Sequence, residues 1–536
     1  MDLGSQVQAW IDDDPDPVTA AQLQGWLDTN NEVELLTSFS GFLAFGTAGL
    51  RGPMRPGPSG MNRAVVGRTA AAIAAYMKER NLNSVVIGRD TRHGSQDFTQ
   101  ETAQIMSGAG MQVFVLPRPL PTPVLAFATN ELKCDVGIMV TASHNPPQDN
   151  GYKIYLGGTV DGIHYRGSQI VSPSDESIAA HIDAVTTLAS QPRGSQWSIV
   201  DEEIINKYVS ITAAIANKPG NLKIVYTAMH GVGTETLLQV FHSAGFLPPI
   251  LVEAQAQPDP DFPTVAFPNP EEPGAIDLAL ETARAFDADL VIANDPDADR
   301  CAAAVNDPVT GWRMLRGDEL GAIFGEVIAR NTSKAILANS IVSSTILSKI
   351  AGHYNLEFKQ TLTGFKWLAK IDGLTFGYEE AIGYAVDAKT VNDKDGISAA
   401  IKLAQIATDL AAQGKTLLDL LNEIWLRHGF HATEQIAIRL TDLSQVGTIM
   451  GRLRKNPPAE IAGHRVTSID DLSKPTDDLP PTDSLRIWLD GTIRIIIRPS
   501  GTEAKMKCYI EVIEKDSGRA QIVLNQLRAP LKELLS

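Results

Sequence analysis

Residues 84–146 decide the fold, through SVVIGRDTR (84–92), QDFTQETAQIMSGAG (96–110), MQVFVLPRPLPTP (111–123) and DVGIMVTASHNP (135–146). A β-branched run leads through a polar loop into a helix-like stretch. A second strand, a Pro-bearing loop and a third strand ending in polar residues follow. The order returns at KIVYTAMHGVG (223–233), TETLLQVFHSAG (234–245), PPILVEAQAQPDP (248–260) and ADLVIANDPDADR (288–300). It returns again at KAILANSIVSS (334–344), TILSKIAGHYN (345–355), LEFKQTLTGFKWL (356–368) and LTFGYEEAIGY (374–384). Strands alternating with helices predict parallel or mixed α/β sheets, and the copies share architecture rather than identities. Ligands of open α/β sheets bind beyond the carboxyl ends of the strands. The polar clusters GRDTR, TASHNP, DPDADR and GYEEAIGY all follow strands, so three such domains facing one cleft would bring them together.

An acidic, helical stretch to about Thr37 precedes the first copy. A different pattern follows the third: strand-like IAIRL (436–440), a helix near Val446–Leu453, a Pro/Asp-rich loop, the strands of RIWLDGTIRIIIRPSGTEAKMKCYIEVI (486–513), and an amphipathic helix over about 518–535. A separate α+β domain beginning near Glu434 fits this best. The expected domains are 1–213, 214–323, 324–433 and 434–536. Length alone points to three or four, at about 150 residues each.

Composition excludes some classes. With 43% hydrophobic and 20% charged residues the 536-residue chain is globular. Its net charge of −17 disfavours a nucleic-acid or anionic-membrane partner. Cys134, Cys301 and Cys508 are odd in number, far apart and without C-x-x-C spacing. They are expected to be free buried thiols of a cytoplasmic protein. The N-terminus lacks an apolar h-region, and nowhere do 18 apolar residues run together, so neither a signal peptide nor a membrane span is expected.

Three motifs carry chemistry. DPDADR places Asp295, Asp297 and Asp299 at alternate positions after a buried-strand pattern, a set of oxygen ligands suited to a hard cation, Mg²⁺ before others. An EF-hand fails because its sixth and twelfth positions are Arg300 and Asn306; a glycosyltransferase-like D-x-D stays open. TASHNPPQDNGYKIY (141–155) sets Ser143 past a strand, beside His144 and before Lys153. A serine nucleophile needs activation by a base or by prior chemistry, and no G-x-S-x-G elbow is present. Alone the stretch is more simply a turn; beside the aspartates it becomes a site. RPSGTEAK (498–505) resembles an anion cradle: Arg498 offers a planar fork, Ser500 and Thr502 hydroxyls, and Gly501 backbone N–H access. Arg51, Arg89, Arg92, Lys366, Lys394, Glu379 and Glu380 lie in supporting loops, each alone more simply a surface charge. GKT (414–416) is rejected as a P-loop, since the earlier Gly is Asp409 and the stretch looks helical. His242 and His353 fall in helix-like stretches and are expected to be structural.

As an ordered set, GTAGLRG (46–52), TASHNPPQDNGYKIY, DPDADR, GYEEAIGY (377–384) and RPSGTEAK resemble the α-D-phosphohexomutase family over nearly the whole chain. The resemblance implies three similar α/β domains with mixed sheets plus a C-terminal α+β domain around a central cleft. It also implies a phosphoserine, a bound Mg²⁺ and a sugar 1,6-bisphosphate as intermediate and activator. By that resemblance Ser143 is the phosphoserine and shares the metal with Asp295, Asp297 and Asp299. Arg51 and Arg300 balance the transferring phosphoryl group beside His144, and Lys153 matches the candidate general acid/base. Thr363, Gly364 and Lys366 lie in the sugar loop, and Glu379 holds sugar hydroxyls. Arg498, Ser500, Gly501 and Thr502 grip the phosphate that is not reacting, with Lys394 and Lys505 adding to that grip.

The implied activity interconverts hexose 1-phosphate and hexose 6-phosphate, of glucose, mannose or both, in a monomer or weak dimer. One position departs from the pattern: Ala381 stands two residues after Glu379, where many hexomutases have Ser. The form EEAIG resembles the branch of phosphopentomutases and glucose-1,6-bisphosphate synthases, which leaves the pentose reading open. Two other classes remain: a metal-dependent phosphatase or D-x-D transferase using the aspartates alone, and an inactive sugar-phosphate-binding regulator.

Overall fold

The computed structural model describes residues 2–46, 49–475, 479–499 and 505–536. The chain divides into two compact units: Met1–Leu315 with Ala369–Thr375 and Ala381–Ala412, and Arg316–Leu368 with Phe376–Glu380 and Gln413–Ser536.

In the first unit, strand Ser84–Arg89 lies between Gln112–Val115 and Val136–Val140, parallel to both. Its residues Ser84–Gly88 are buried, as expected of a β-branched run covered on both faces. Asp149–Leu156 adds antiparallel to Val136–Val140, and Leu50–Pro53 antiparallel beyond it. The second sheet repeats the plan. Ile224–Thr227 lies between Ile250–Leu251 and Leu290–Ala293, parallel to both, and Ala302–Asp307 returns antiparallel. Three helices, Leu3–Asp13, Pro17–Asp28 and Glu32–Ser38, precede the first sheet. Asp13, which ends the first of them, accepts from Leu188 N and Ala189 N and pairs with Arg68 of helix Arg63–Glu79.

The second unit holds most of the third copy. Ile336–Ser340 pairs in parallel with Glu357–Thr361 and neighbours Leu374–Glu379 on its other side. In each copy the first strand thus sits between the second and third, which is the structural form of the sequence repeat. The C-terminal part is a six-stranded sheet ordered Phe430–Arg439, Lys505–Glu514, Ile493–Pro499, Leu485–Leu489, His464–Asp471, Glu460–Ile461. Helices Leu443–Lys455 and Ser517–Leu534 accompany it, and Ile495, Ile497, Cys508, Val512, Leu524 and Leu527 form its core.

The GKT stretch differs from its helical expectation. Gly414 turns the chain at φ +70° and Thr416 caps helix Leu417–His428 in a box with Asp419, because Thr and Asp satisfy the first free N–H groups better outside a helix than within one. His242 and His353 lie in helices. The three cysteines are free and buried, and burial pushes the thiols of Cys134 and Cys508 up to about 12. Among the described residues no helix is long and apolar enough to cross a membrane.

Candidate active site

Two strand ends of the first unit build the site. Strand Val136–Val140 delivers Ser143, and Leu290–Ala293 delivers Asp295, Asp297 and Asp299. Both loops use left-handed backbone, at Ser143 (φ +54°) and Ala298 (φ +55°), a conformation L-residues avoid unless the surroundings enforce it. Two glycines make room. A Cβ on Gly49 would lie 1.9 Å from the Tyr152 carbonyl oxygen, and one on Gly231 would lie 2.3 Å from the Pro296 carbonyl oxygen. No side chain fits at either place.

Ser143 Oγ donates to Asp295 Oδ2 at 2.8 Å and lies 3.2 Å from His144 Nδ1. Lys153, from the antiparallel strand, donates to Asp297 Oδ2 at 2.6 Å and Asp299 Oδ2 at 2.8 Å. Lys394 Nζ is 3.4 Å from Asp299. The sequence placed Lys394 with the phosphate grip; the fold sets it against the aspartates. Arg300 N donates to Asp295 Oδ1 at 3.0 Å, and Arg51 is within electrostatic reach of Arg300 and Asp297. Ala381 belongs to the same unit, where Cys301 N donates to the neighbouring Ile382 carbonyl at 3.0 Å.

Electrostatics separates Asp295 from Asp299. Burial, then Asp297 and Asp299, pushes Asp295 well above the usual carboxylate range. Burial acts the same way on Asp299, but Lys153 and Lys394 outweigh it and hold Asp299 well below that range. Burial and the charges of Arg300 and Arg51 hold His144 well below the usual histidine range.

The aspartates fit a metal. Their ligand oxygens lie within 4.8 Å of one another, and Asp297 Oδ1 and Asp299 Oδ1 are buried with no hydrogen-bond partner among the described residues. An all-oxygen set with orphaned buried carboxylate oxygens matches a hard divalent cation.

The second unit holds other expected groups. Gly364 N donates to Glu379 Oε1 at 2.8 Å, with Thr363 beside it and buried Lys366 following. Glu380 accepts from Ser340 Oγ and Ser343 Oγ at 3.0 Å each, and burial with Glu379 pushes it up to about 7. Arg498 hydrogen-bonds the Tyr509 hydroxyl. Arg498 lies on strand Ile493–Pro499 opposite Lys507, and Lys505 begins the antiparallel strand Lys505–Glu514. Ser500, Gly501 and Thr502 lie outside the described residues.

Sequence reasoning missed the groups that hold these in place. Thr122, at the start of helix Thr122–Glu131, donates through Oγ1 to Asp297 Oδ2 at 2.6 Å and through N to the Asp297 carbonyl at 2.9 Å. Asn294 donates through Nδ2 to the Arg300 carbonyl at 2.5 Å and accepts at Oδ1 from the buried Tyr226 hydroxyl at 2.9 Å. The only sequence signal for either was its place at a strand or helix end.

Three domain profiles match this chain: phosphoglucomutase/phosphomannomutase alpha/beta/alpha domain I over residues 43–187, domain II over 202–311 and domain III over 316–428. The chain belongs to the phosphoglucomutase/phosphomannomutase family. The family, the α-D-phosphohexomutases, makes it a phosphosugar mutase, an isomerase. It is 46% identical over 482 residues to a Haemophilus influenzae protein named probable phosphomannomutase, covering 89% of this chain and 98% of that protein. It is 33% identical over 571 residues to the phosphopentomutase of Mus musculus, covering 95% and 90%. A crystal structure of a phosphoglucomutase/phosphomannomutase family protein from Burkholderia thailandensis shares the fold at a TM-score of 0.71 and 21% identity, covering 91% of this chain and 97% of that one.

Proposed function

We propose that this mutase interconverts hexose 1-phosphate and hexose 6-phosphate, of glucose, mannose or both, through phospho-Ser143 and a sugar 1,6-bisphosphate. The observation that carries the reading is Ser143 Oγ resting 2.8 Å from Asp295 inside the aspartate group. Asp295, Asp297 and Asp299 would hold Mg²⁺ with an oxygen of the phosphoserine. Bound there, the ion would stabilise charge spreading over the transferring phosphoryl group. The chain's own residues do the rest by position and charge. The P–O bond to Ser143 breaks as a substrate hydroxyl oxygen bonds to phosphorus. Arg51 and Arg300 offset the anion, His144 lies beside it, and Lys153 is the general acid/base. Glu379, with the Thr363–Gly364 loop and Lys366, orients the sugar. Arg498, Ser500, Gly501, Thr502 and Lys505 hold the other phosphate, and Lys394 joins the charge balance at Asp299. The bisphosphate then turns over and returns its second phosphate to Ser143.

A pentose reading draws on Ala381, which removes a hydroxyl contact to the sugar, and on the likeness to the mouse phosphopentomutase. A site lacking a hydrogen-bonding partner discriminates less among sugars. We place the protein in the cytoplasm, as a monomer or weak dimer whose domains divide near residues 213, 323 and 433. The test is side-by-side turnover of the α-1-phosphates of glucose, mannose, glucosamine and ribose with bisphosphate activator. Intact mass should show one phosphoryl group on Ser143, and Ser143→Ala should be inactive. A Ser143→Ala protein with full turnover would overturn the reading.

A further inference from the structure

We propose that Arg92 is a positioning residue for phosphoryl transfer. Its guanidinium gathers the carbonyls of the 143–149 loop and so holds Ser143 in the backbone conformation that presents Oγ to Asp295. The proposal rests on Ser143 being the phosphoryl carrier.

Arg92 is 3% exposed. Nη2 donates to the Ser143 and Asn145 carbonyls at 2.6 Å each, and Nη1 to the Pro146 and Asp149 carbonyls at 2.8 and 3.2 Å. Nε faces Asp90 Oδ2 at 3.3 Å. Asp90 is itself fixed by accepting from Arg92 N at 3.0 Å and Ser95 Oγ at 2.7 Å. The Phe262 ring covers the guanidinium, with its centroid 4.9 Å from Cζ.

The loop needs such a partner. It turns from strand Val136–Val140 into Asp149–Leu156 with Ser143 in the left-handed region, at φ +54°. The Ser143 carbonyl contact is buried and the other three are part-buried, and a buried carbonyl requires a donor. Only arginine brings five N–H groups in a planar fork; lysine offers three from one point. The Ser143 carbonyl is thereby tied to a rigid fork while its Oγ donates to Asp295. Arg92 touches no reacting atom and acts through the backbone of Ser143.

A merely structural role would cost stability without slowing the transfer step. Arg68 provides the control: it is 7% exposed and pairs with Asp13 in the same unit, away from this loop. The experiment compares wild type, Arg92→Gln, Arg92→Lys and Arg68→Gln by thermal unfolding, by steady-state kinetics with glucose 1-phosphate and glucose 1,6-bisphosphate, and by single-turnover loss of phosphate from Ser143. Misplacing Oγ by about 1 Å predicts a loss of about 100-fold in kcat and in single-turnover rate, with KM within about threefold. Arg92→Lys should recover under a tenth of the wild-type rate, and Arg68→Gln should lose stability but keep kcat. Wild-type transfer in Arg92→Gln, or full rescue by Arg92→Lys, overturns the proposal. If Arg92→Gln does not fold, Arg92→Lys carries the test alone. A wild-type protein that never carries phosphate on Ser143 overturns the underlying reading, and the mass measurement separates that failure from the other.

Discussion

Asp297 Oδ2 accepts from Thr122 Oγ1 and Lys153 Nζ, while Oδ1 has no hydrogen-bond partner among the described residues. A ligand carboxylate whose orientation depends on an outer hydroxyl loses metal affinity when that hydroxyl goes, typically by 10–100-fold. Thr122→Val is therefore expected to raise the Mg²⁺ concentration for half-maximal activity by about 10–100-fold, with kcat restored at saturating Mg²⁺. A titration of activity against Mg²⁺ checks this. A second residue matters to stability. Glu511 is 1% exposed and accepts from Ser344 Oγ, Thr345 N and His431 while pairing with Arg494 at 3.0 Å. Burial alone would raise its carboxyl, but Arg494 and His431 outweigh that and lower it to about 2. A folded value below the unfolded one, about 4.3, stabilises at higher pH and is lost as pH falls from about 4.3 towards about 2. Glu511→Gln leaves Arg494 uncompensated and is expected to cost about 3–5 kcal/mol at pH 7. Differential scanning calorimetry should show the gap from wild type narrowing below pH 4.

Helix Gly396–Ala411 shows how an element fixes a site residue. Its N-cap, Asp395, accepts from Ile397 N and Ser398 N at 3.0 Å each and from the buried Tyr208 hydroxyl at 2.9 Å. The residue before the cap is Lys394, 3.4 Å from Asp299. Asp395→Ala removes the cap, worth about 0.5–2 kcal/mol, and leaves the Tyr208 hydroxyl unpaired, worth a further 1–3 kcal/mol or so. Thermal denaturation should show that loss, with Asp395→Asn recovering much of it because the amide keeps an acceptor. A fall in kcat with Asp395→Ala but not Asp395→Asn would tie the cap to the placement of Lys394. At this scale the strands were legible because buried β-branched runs such as SVVIG and LVIA have few alternatives. The 414–416 turn was not, since capping is a property of three-dimensional N–H groups that a local helical composition hides.

Across the whole molecule a net charge of −17 would repel an anionic sugar phosphate, yet Arg51, Lys153, Arg300 and Lys394 gather around the aspartates of the first unit. The two fields predict opposite salt effects. Screening, with a Debye length of about 8 Å at 0.15 M, would raise kcat/KM if average repulsion governed capture and lower it if the local cations did. We expect kcat/KM for glucose 1-phosphate to fall as ionic strength rises from about 0.02 to about 0.3 M, and a rise would assign capture to the global charge. The sequence by itself determined the repeated α/β plan, the aspartate triad, Ser143 with its flanking His144 and Lys153, and the family, because strand periodicity and short motifs are local properties. Tertiary structure alone decided that Lys394 lies against Asp299, that Thr122 orients Asp297 from 175 residues away, and that Arg92 is a buried fork under the Ser143 loop rather than a surface charge. Those are matters of burial and hydrogen-bond partners between distant segments, and no local pattern of residues encodes which segments meet.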